Sequence, residues 1–156
     1  MNTMPRLLSA LLGLALVAGC AAPSREAPAG AEVDLAKMAS AERRSEKIGV
    51  PADVRYAFTG GGAGTPLDLQ IAVIPRIDGD DLRIEFPSTP GVSVAKSATA
   101  HVFGKASASA SYRLSLDLAT DAQAPDRLPV IVSMNVGEAR YFSVFAIPLR
   151  AATGTR

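Results

Sequence analysis

Leu67-Asp68-Leu69-Gln70-Ile71-Ala72-Val73 places an aliphatic side chain at every second position. The positions between hold a carboxylate, an amide and an alanine. Successive side chains of a β-strand point to opposite faces of its sheet, so a period of two is typical of a strand with one buried face. This is the clearest such pattern in the chain, and it predicts a domain built from β-sheet.

The same period of two recurs on both sides of this segment. Its apolar positions are Val54, Tyr56 and Phe58, then Leu82, Ile84 and Phe86, then Tyr112, Leu114, Leu116 and Leu118. A slip by one residue would bury the charges of Arg83 and Glu85, so the register of that strand is firmly set. We expect the strand around Leu69 and the strand around Ile84 to be neighbours, joined by the turn at 78–80.

Shorter segments complete an all-β pattern. Short strands are predicted at 92–94 and 98–103, and a final hairpin at 130–136 and 140–149 turns across Gly137-Glu138. About seven short strands with turn signals between them predict a β-sandwich over 51–150. The order of long and short strands resembles the immunoglobulin-like and fibronectin-type-III-like domains of many bacterial surface proteins. That resemblance implies a fold and not a function.

The last predicted strand is apolar on both faces. Its two sets of alternating residues are Tyr141, Phe145 and Ile147, and Phe142, Val144 and Ala146. Such a strand is either central to a sheet or in contact with something beyond the domain. We take Tyr141, Phe142, Val144 and Phe145 as the candidate interaction surface. A loop, or the segment 32–47 folding back, is the alternative cover for it.

The segment 20–50 is predicted to be a tether. Its first third is rich in alanine and proline, and 32–47 is rich in residues that tolerate a helix. Because the apolar residues Val33, Leu35 and Met38 form no wide stripe, we interpret 32–47 as a marginal helix or disorder. A chain starting near residue 48 is expected to fold, and loss of 21–47 is expected to change little. Residues 151–156 are predicted to be disordered.

Val17-Ala18-Gly19-Cys20 follows the positive residue Arg6 and an apolar run over 7–17. That run has the length of a signal-peptide core and is shorter than the roughly 20 residues of a membrane-spanning helix. The motif resembles the lipobox of bacterial lipoproteins. The resemblance implies a signal peptide over 1–19, cleavage between Gly19 and Cys20, and lipid on Cys20.

The same resemblance implies a location. A lipidated Cys20 would tether the protein to a membrane of the cell envelope. Ala21, rather than aspartate, follows the cysteine. In a host with two membranes, this implies the outer membrane, facing the periplasm. Cys20 is the sole cysteine, so the folded domain is expected to depend on packing without disulfides.

Charge excludes one class of partner. The chain carries 16 Lys and Arg against 15 Asp and Glu, and this balance gives no electrostatic case for binding nucleic acid. There is no tryptophan and aromatic residues are few, which disfavours an aromatic platform for carbohydrate.

The candidate binding sites are weak. Asp78-Gly79-Asp80-Asp81 offers oxygen ligands for calcium, but it is interpreted as a solvated hairpin turn. The glycines from Gly60 to Gly64 lead into a strand rather than a helix, so they form no dinucleotide fingerprint. His101 is the only histidine and cannot make a zinc site alone. We predict no metal and no cofactor.

Catalytic candidates are weak too. Ser111 or Ser115 near Asp117 in sequence is no evidence for a triad with His101. Paired carboxylates from Asp68, Glu85 or Asp117 are conceivable, but each falls on the polar face of its strand. We predict no catalytic residue and no enzyme.

Our leading hypothesis is therefore a lipid-anchored, non-enzymatic β-sandwich that binds or supports an envelope protein, or a second copy of itself. Two contact surfaces are available to it, the last strand and any free sheet edge. The alternative is a module for a small ligand or an ion, using the loops at 60–64 and 78–81.

Overall fold

The structure is a computed structural model that describes residues 33–44, 49–60, 66–94 and 99–149. The predictions made for the signal peptide at 1–19, for Cys20, for the tether up to residue 32, for the glycines at 61–64 and for 151–156 lie outside these ranges. The described part of the chain contains no helix with the length and hydropathy needed to cross a membrane.

The described residues form two antiparallel sheets of five strands each. Sheet I has the order β1-β3-β4-β8-β6, and sheet II has the order β2-β10-β9-β5-β7. The strands are β1 Ala39–Ser40, β2 Glu42–Arg43, β3 Ala52–Gly60, β4 Leu67–Pro75, β5 Asp80–Glu85, β6 Val92–Val94, β7 Ala100–Val102, β8 Tyr112–Thr120, β9 Arg127–Val136 and β10 Ala139–Pro148. The predicted all-β sandwich is confirmed.

The core lies between the sheets and consists of the alternating positions that the sequence pattern identifies. Leu69 and Ile71 of β4 are at most 1% exposed and belong to one hydrophobic cluster with Leu116 of β8 and Ile84 of β5. Full burial of a Leu or Ile side chain contributes about 1.5–3 kcal/mol. Because this cluster spans both sheets, it holds them together without a disulfide.

The expected pairing of the strands around Leu69 and Ile84 is wrong. β4 pairs with β3 and β8 in sheet I, whereas β5 pairs with β9 and β7 in sheet II. The short connection at 76–79 carries the chain from one sheet to the other. A period of two specifies which face of a strand is buried. That face is the same whether the next strand along the chain lies beside it in one sheet or across the core in the other.

The predicted final hairpin is confirmed. β9 and β10 pair along their whole lengths, from Val136 opposite Ala139 to Arg127 opposite Pro148. Gly137, the first of the two turn residues, has φ = 60°. Glu138 has no positive φ, and glycine at the first central position is typical of a type II′ turn.

Residues 33–44, called the N-terminal strap below, begin on the outer face of sheet I. The Val33 amide donates to Gln70 Oε1 (2.9 Å), and Arg113 Nη1 donates to the Val33 carbonyl (3.0 Å). Arg55 Nη1 donates to the Leu35 carbonyl (2.9 Å). Gln70 is only 6% exposed although it points away from the core. The outer face of β4 is therefore covered.

The strap then crosses to sheet II. β1 pairs with Tyr56 and Arg55 of β3, and β2 pairs with Phe145 and Ala146 of β10. The Arg43 guanidinium lies 5.8 Å from the centre of the Phe145 ring and donates to Ser143 Oγ (2.9 Å). The strap thus joins the edge of one sheet to the edge of the other.

This arrangement changes the interpretation of the segment 32–47. Its one helical element in the described part is a 3-10 turn, Leu35–Lys37, after which the chain is extended. The expected marginal helix is therefore limited to a single turn in the described part. The segment does reach the last strand, but only at its edge, where β2 pairs with Phe145 and Ala146. It does not cover the outer face of that strand, since Phe142 is 63% exposed. The sandwich includes residues that the sequence pattern assigned to the tether.

Both sheets are bounded by very short strands within the described ranges. β1 and β2 have two residues each, and β6 and β7 have three each. Short edge strands limit pairing with another chain. Strand addition, one of the two contact modes expected from the sequence, is therefore limited along β1, β2, β6 and β7 themselves, although most of β3 and β10 extends past their two-residue partners.

One turn requires glycine for two reasons. Gly91 has φ = +73°, and a Cβ there would lie 2.3 Å from the Ala124 nitrogen and 2.5 Å from Asp121 Oδ1. We expect Gly91→Ala to lower the free energy of unfolding by about 2–4 kcal/mol, as measured by urea denaturation. Gly104→Ala is the matched control, because Gly104 has φ = +66° with nothing within 4 Å. Equal losses in the two variants would show that the close approach contributes nothing.

Candidate functional site

The structure does not assemble a catalytic triad from the candidates in the sequence. His101 lies on β7 at the edge of sheet II. Ser115 and Asp117 lie on the outer face of β8 in sheet I, alternating with buried leucines. His101 is half-buried, and its Nε2 has no hydrogen-bond partner among the described residues.

Two of the three candidate carboxylates do lie together. Asp68 and Asp117 are opposite each other in β4 and β8, and Asp68 Oδ2 accepts a hydrogen bond from Thr59 Oγ1 (2.7 Å). Glu85 lies in the other sheet. Asp117 is exposed and Asp68 is half-buried, at the amino-terminal end of β4 beyond Gln70. Among the described residues, no three His, Cys, Asp or Glu converge to hold a metal ion.

The acidic turn at 78–81 is engaged by protein donors. Asp78 Oδ1 accepts from the Ala108 amide (2.7 Å), and Asp81 Oδ2 accepts from Arg140 Nη1 (3.0 Å). Two of its three carboxylates therefore take part in local structure. Of the glycine segment at 60–64, only Gly60 is described, and it ends β3 opposite Leu67.

An exposed aromatic residue is the most unusual feature of the outer face of sheet II. Phe142 is 63% exposed. Its neighbour along β10 on the same face, Val144, is half-exposed and lies opposite the half-exposed Ile131 of β9. Residues directly opposite in an antiparallel pair share a face, so these three side chains form one surface, called the outer patch below.

The structure corrects the surface expected from the sequence. Phe145 is 3% exposed and belongs to the core, and Tyr141 packs against that core. Only Phe142 and Val144 of the four predicted residues remain on the outer face. Ile131 was not predicted, because β9 is apolar on its inward positions too and its sequence therefore did not identify Ile131 as an outward residue. Its register opposite Val144, given by the two-residue turn, was the signal that could have revealed it.

A polar network borders the outer patch. Arg140 donates to Asp81 Oδ2 (3.0 Å) and to Ser133 Oγ (2.8 Å). Arg83 lies 3.5 Å from Asp81 and 3.6 Å from Glu85. These groups are between about a third and a half exposed, so each ion pair contributes at most about 1 kcal/mol. Two cations balance two anions, which leaves the apolar side chains as the distinctive part of this face.

A groove of about 490 Å³ adjoins the outer patch at the other end of β10. Its apolar wall consists of Val144, Ala146, Pro90, Pro125 and Pro129, and Arg44 and Arg127 stand beside it. Glu42 contacts both guanidiniums, with Arg127 Nη1 as a hydrogen-bond donor and Arg44 Nε at 3.9 Å. We call this feature the proline groove.

A second cavity, of about 290 Å³, lies where the strap crosses between the sheets. Its lining includes Arg43, Asp53, Arg76 and Phe145. Arg76 Nη2 lies 2.7 Å from Asp53 Oδ1, and this hydrogen bond together with the charge of Asp53 raises the pKa of Arg76. Because Arg43 and Arg76 already bind protein acceptors, this cavity has fewer groups available for a ligand.

The outer patch and the proline groove together are therefore the candidate functional site. They share Val144, lie on one face of sheet II and combine exposed apolar side chains with two guanidiniums. No protein-family model, no curated protein and no solved structure matches the chain.

Proposed function

We propose that the protein is a non-enzymatic lipoprotein of the cell envelope whose β-sandwich binds a protein partner through the outer patch. The observation that carries this proposal is Phe142, 63% exposed beside Val144 and Ile131. The anchor is the lipid expected on Cys20. In a host with two membranes, the protein belongs to the outer membrane and faces the periplasm.

The energetics favour a face contact. Burial of a Phe side chain contributes about 1.5–3 kcal/mol, and aromatic residues are enriched at the centres of protein interfaces. The partner is an envelope protein or a second copy of this chain.

The alternative is a module for a small ligand, which the cavity beneath the strap favours. About 290 Å³ is at the lower limit of ordinary ligand pockets. Arg43→Met would remove one polar group from that cavity and should leave binding through the outer patch unchanged. A ligand that binds the native chain and not this variant would support the alternative.

The test is the double substitution Phe142→Thr and Val144→Thr. Threonine keeps strand propensity while removing apolar surface, so the midpoint of thermal unfolding should stay within about 3 °C. Partner capture by in-cell cross-linking, or self-association by sedimentation, should fall about tenfold or more. Val102→Thr is the control, because Val102 is 56% exposed on the far edge strand of the same sheet.

Two outcomes would contradict the proposal. A loss of several kcal/mol of stability would place these side chains in the core, as truncation of buried residues does. Unchanged capture and unchanged self-association, with normal folding, would show that the outer patch is not the binding surface.

A further inference from the structure

The outer face of β10 carries a continuous apolar strip. Phe142, Val144 and Ala146 occupy successive positions on this face, and Phe142 and Ala146 are about 13 Å apart along the strand. An extended peptide repeats its side chains on one side at the same interval of two residues. The strip therefore matches an apolar segment of about five residues in extended conformation, with Phe142 and Val144 as its accessible contacts and Ala146, 5% exposed, at its base.

Rigid walls continue this strip beyond Ala146. Pro90 comes from the connection between β5 and β6, Pro125 from the connection between β8 and β9, and Pro129 from β9 itself. Each proline ring fixes its own φ, so the walls lose little conformational freedom when a ligand binds. The groove is preformed and open to solvent.

A carboxylate from the strap joins the two arginines at this end of the strip. Glu42 lies opposite Ala146, and its two carboxylate oxygens contact Arg127 and Arg44. Two guanidiniums thus share one carboxylate. Their side chains are 43% and 51% exposed, so both can reach a further anion. A second carboxylate would complete the set with hydrogen bonds to charged donors.

We propose that the proline groove binds an extended apolar peptide segment of the partner whose carboxylate lies between Arg44 and Arg127. This inference rests on the proposed function, since the same partner would cover the outer patch. An acyl chain is a poorer match, because an open groove would leave much of its length in water.

The test begins with a selection from a display library of random octapeptides with free carboxyl ends. The target is the full chain carrying Cys20→Ser. Enriched peptides should combine alternating apolar residues with an Asp, a Glu or the terminal carboxylate at one end. Affinity of one such peptide is then measured by fluorescence anisotropy, beside its analogue in which that carboxylate is an amide.

The double variant Arg44→Gln and Arg127→Gln should lower the affinity for the carboxylate peptide about tenfold and leave the affinity for the amide analogue unchanged. Glu42→Gln should raise the affinity for the carboxylate peptide, because it removes the anion that competes for the two arginines. Arg76→Gln is the matched control, since Arg76 is exposed and ion-paired with Asp53 outside the groove.

The outcomes separate this inference from the proposed function. A peptide that loses affinity with Phe142→Thr but not with the arginine double variant would overturn the inference and leave the proposed function standing. Failure to enrich any peptide, with arginine-dependent binding of dodecanoate instead, would also overturn it. If the variant with Phe142→Thr and Val144→Thr keeps both peptide binding and partner binding, the proposed function itself is wrong.

Discussion

A chain that starts at residue 45 is expected to unfold at a much lower urea concentration than a chain that starts at residue 20 and carries the substitution Cys20→Ser. Met38 is 7% exposed, and its burial contributes about 1.5–3 kcal/mol. The strap also forms hydrogen bonds from the Val33 amide, from Arg55 and from Arg43, each contributing about 0.5–1.5 kcal/mol. The entropy of ordering the strap offsets part of this gain. We expect a net loss of about 3 kcal/mol.

Deletion of the strap should also alter association. Without β1 and β2, the nine-residue strand β3 and the ten-residue strand β10 become the edges of the two sheets. Long edge strands with free backbone groups pair with other copies. Light scattering of the shortened chain should therefore rise during refolding, whereas a chain that starts at residue 33 should behave like the longer one. Equal urea midpoints for chains starting at 33 and at 45 would contradict this account.

That result would reverse an expectation from the sequence, for a physical reason. The strap has no period of two and no helical stripe, because most of its interactions use backbone carbonyls and amides. Its partners, including Gln70 and Arg113, come from strands that lie 37 and 80 residues further along the chain. Such contacts depend on the completed sandwich, so no local pattern could predict them.

The long strands were predictable because each has one face in the core. Leu69 and Ile71 of β4 are buried, as the alternation predicts, and the same holds for β3, β5 and β8. The final hairpin was predictable from its turn, but the neighbours of β4 and β5 were not. The buried face of β5 is the same in a sandwich whether its neighbour is β4 or β9.

The candidate site was half predictable. Two apolar faces on one strand identified β10 as unusual, and the two-residue turn established its register with β9. The sequence did not show which of the two faces is buried, so the assignment of Phe142 to the surface and Phe145 to the core required the structure. The proline groove was beyond sequence reasoning, since its walls come from three separate segments of the chain.

The outer patch and the first described residue of the strap lie on opposite faces of the sandwich. The strap begins at Val33 on the outer face of sheet I, hydrogen-bonded to Gln70 and Arg113. The outer patch is on the outer face of sheet II. Thirteen peptide units separate Cys20 from Val33 and span at most about 45 Å. A lipid on Cys20 would thus hold Val33 within this distance of the membrane.

Cys20→Ser is expected to move the protein from the membrane fraction to the soluble fraction and to abolish labelling by a radioactive fatty acid. A serine hydroxyl cannot form the thioether that carries the diacylglyceryl group. Each buried methylene contributes about 0.8 kcal/mol, so two or three acyl chains hold a protein almost permanently, and their loss removes the anchor altogether. Fractionation of lysed cells and autoradiography are the measurements.

Ala22→Ser is the matched control, because it adds the same hydroxyl two residues beyond the cysteine and should keep both membrane binding and label. In a host with two membranes, Ala21→Asp should keep the label but shift the protein from the outer to the inner membrane, since the residue after the cysteine sorts proteins of the class that this motif resembles. A Cys20→Ser chain that stays labelled and membrane-bound would overturn the lipoprotein proposal. A Cys20→Ser chain that loses its label but remains on the membrane would indicate a second attachment, either the uncleaved apolar segment 7–17 or a membrane protein bound to the outer patch. Adding Phe142→Thr and Val144→Thr distinguishes the two, because only attachment through the outer patch would be released.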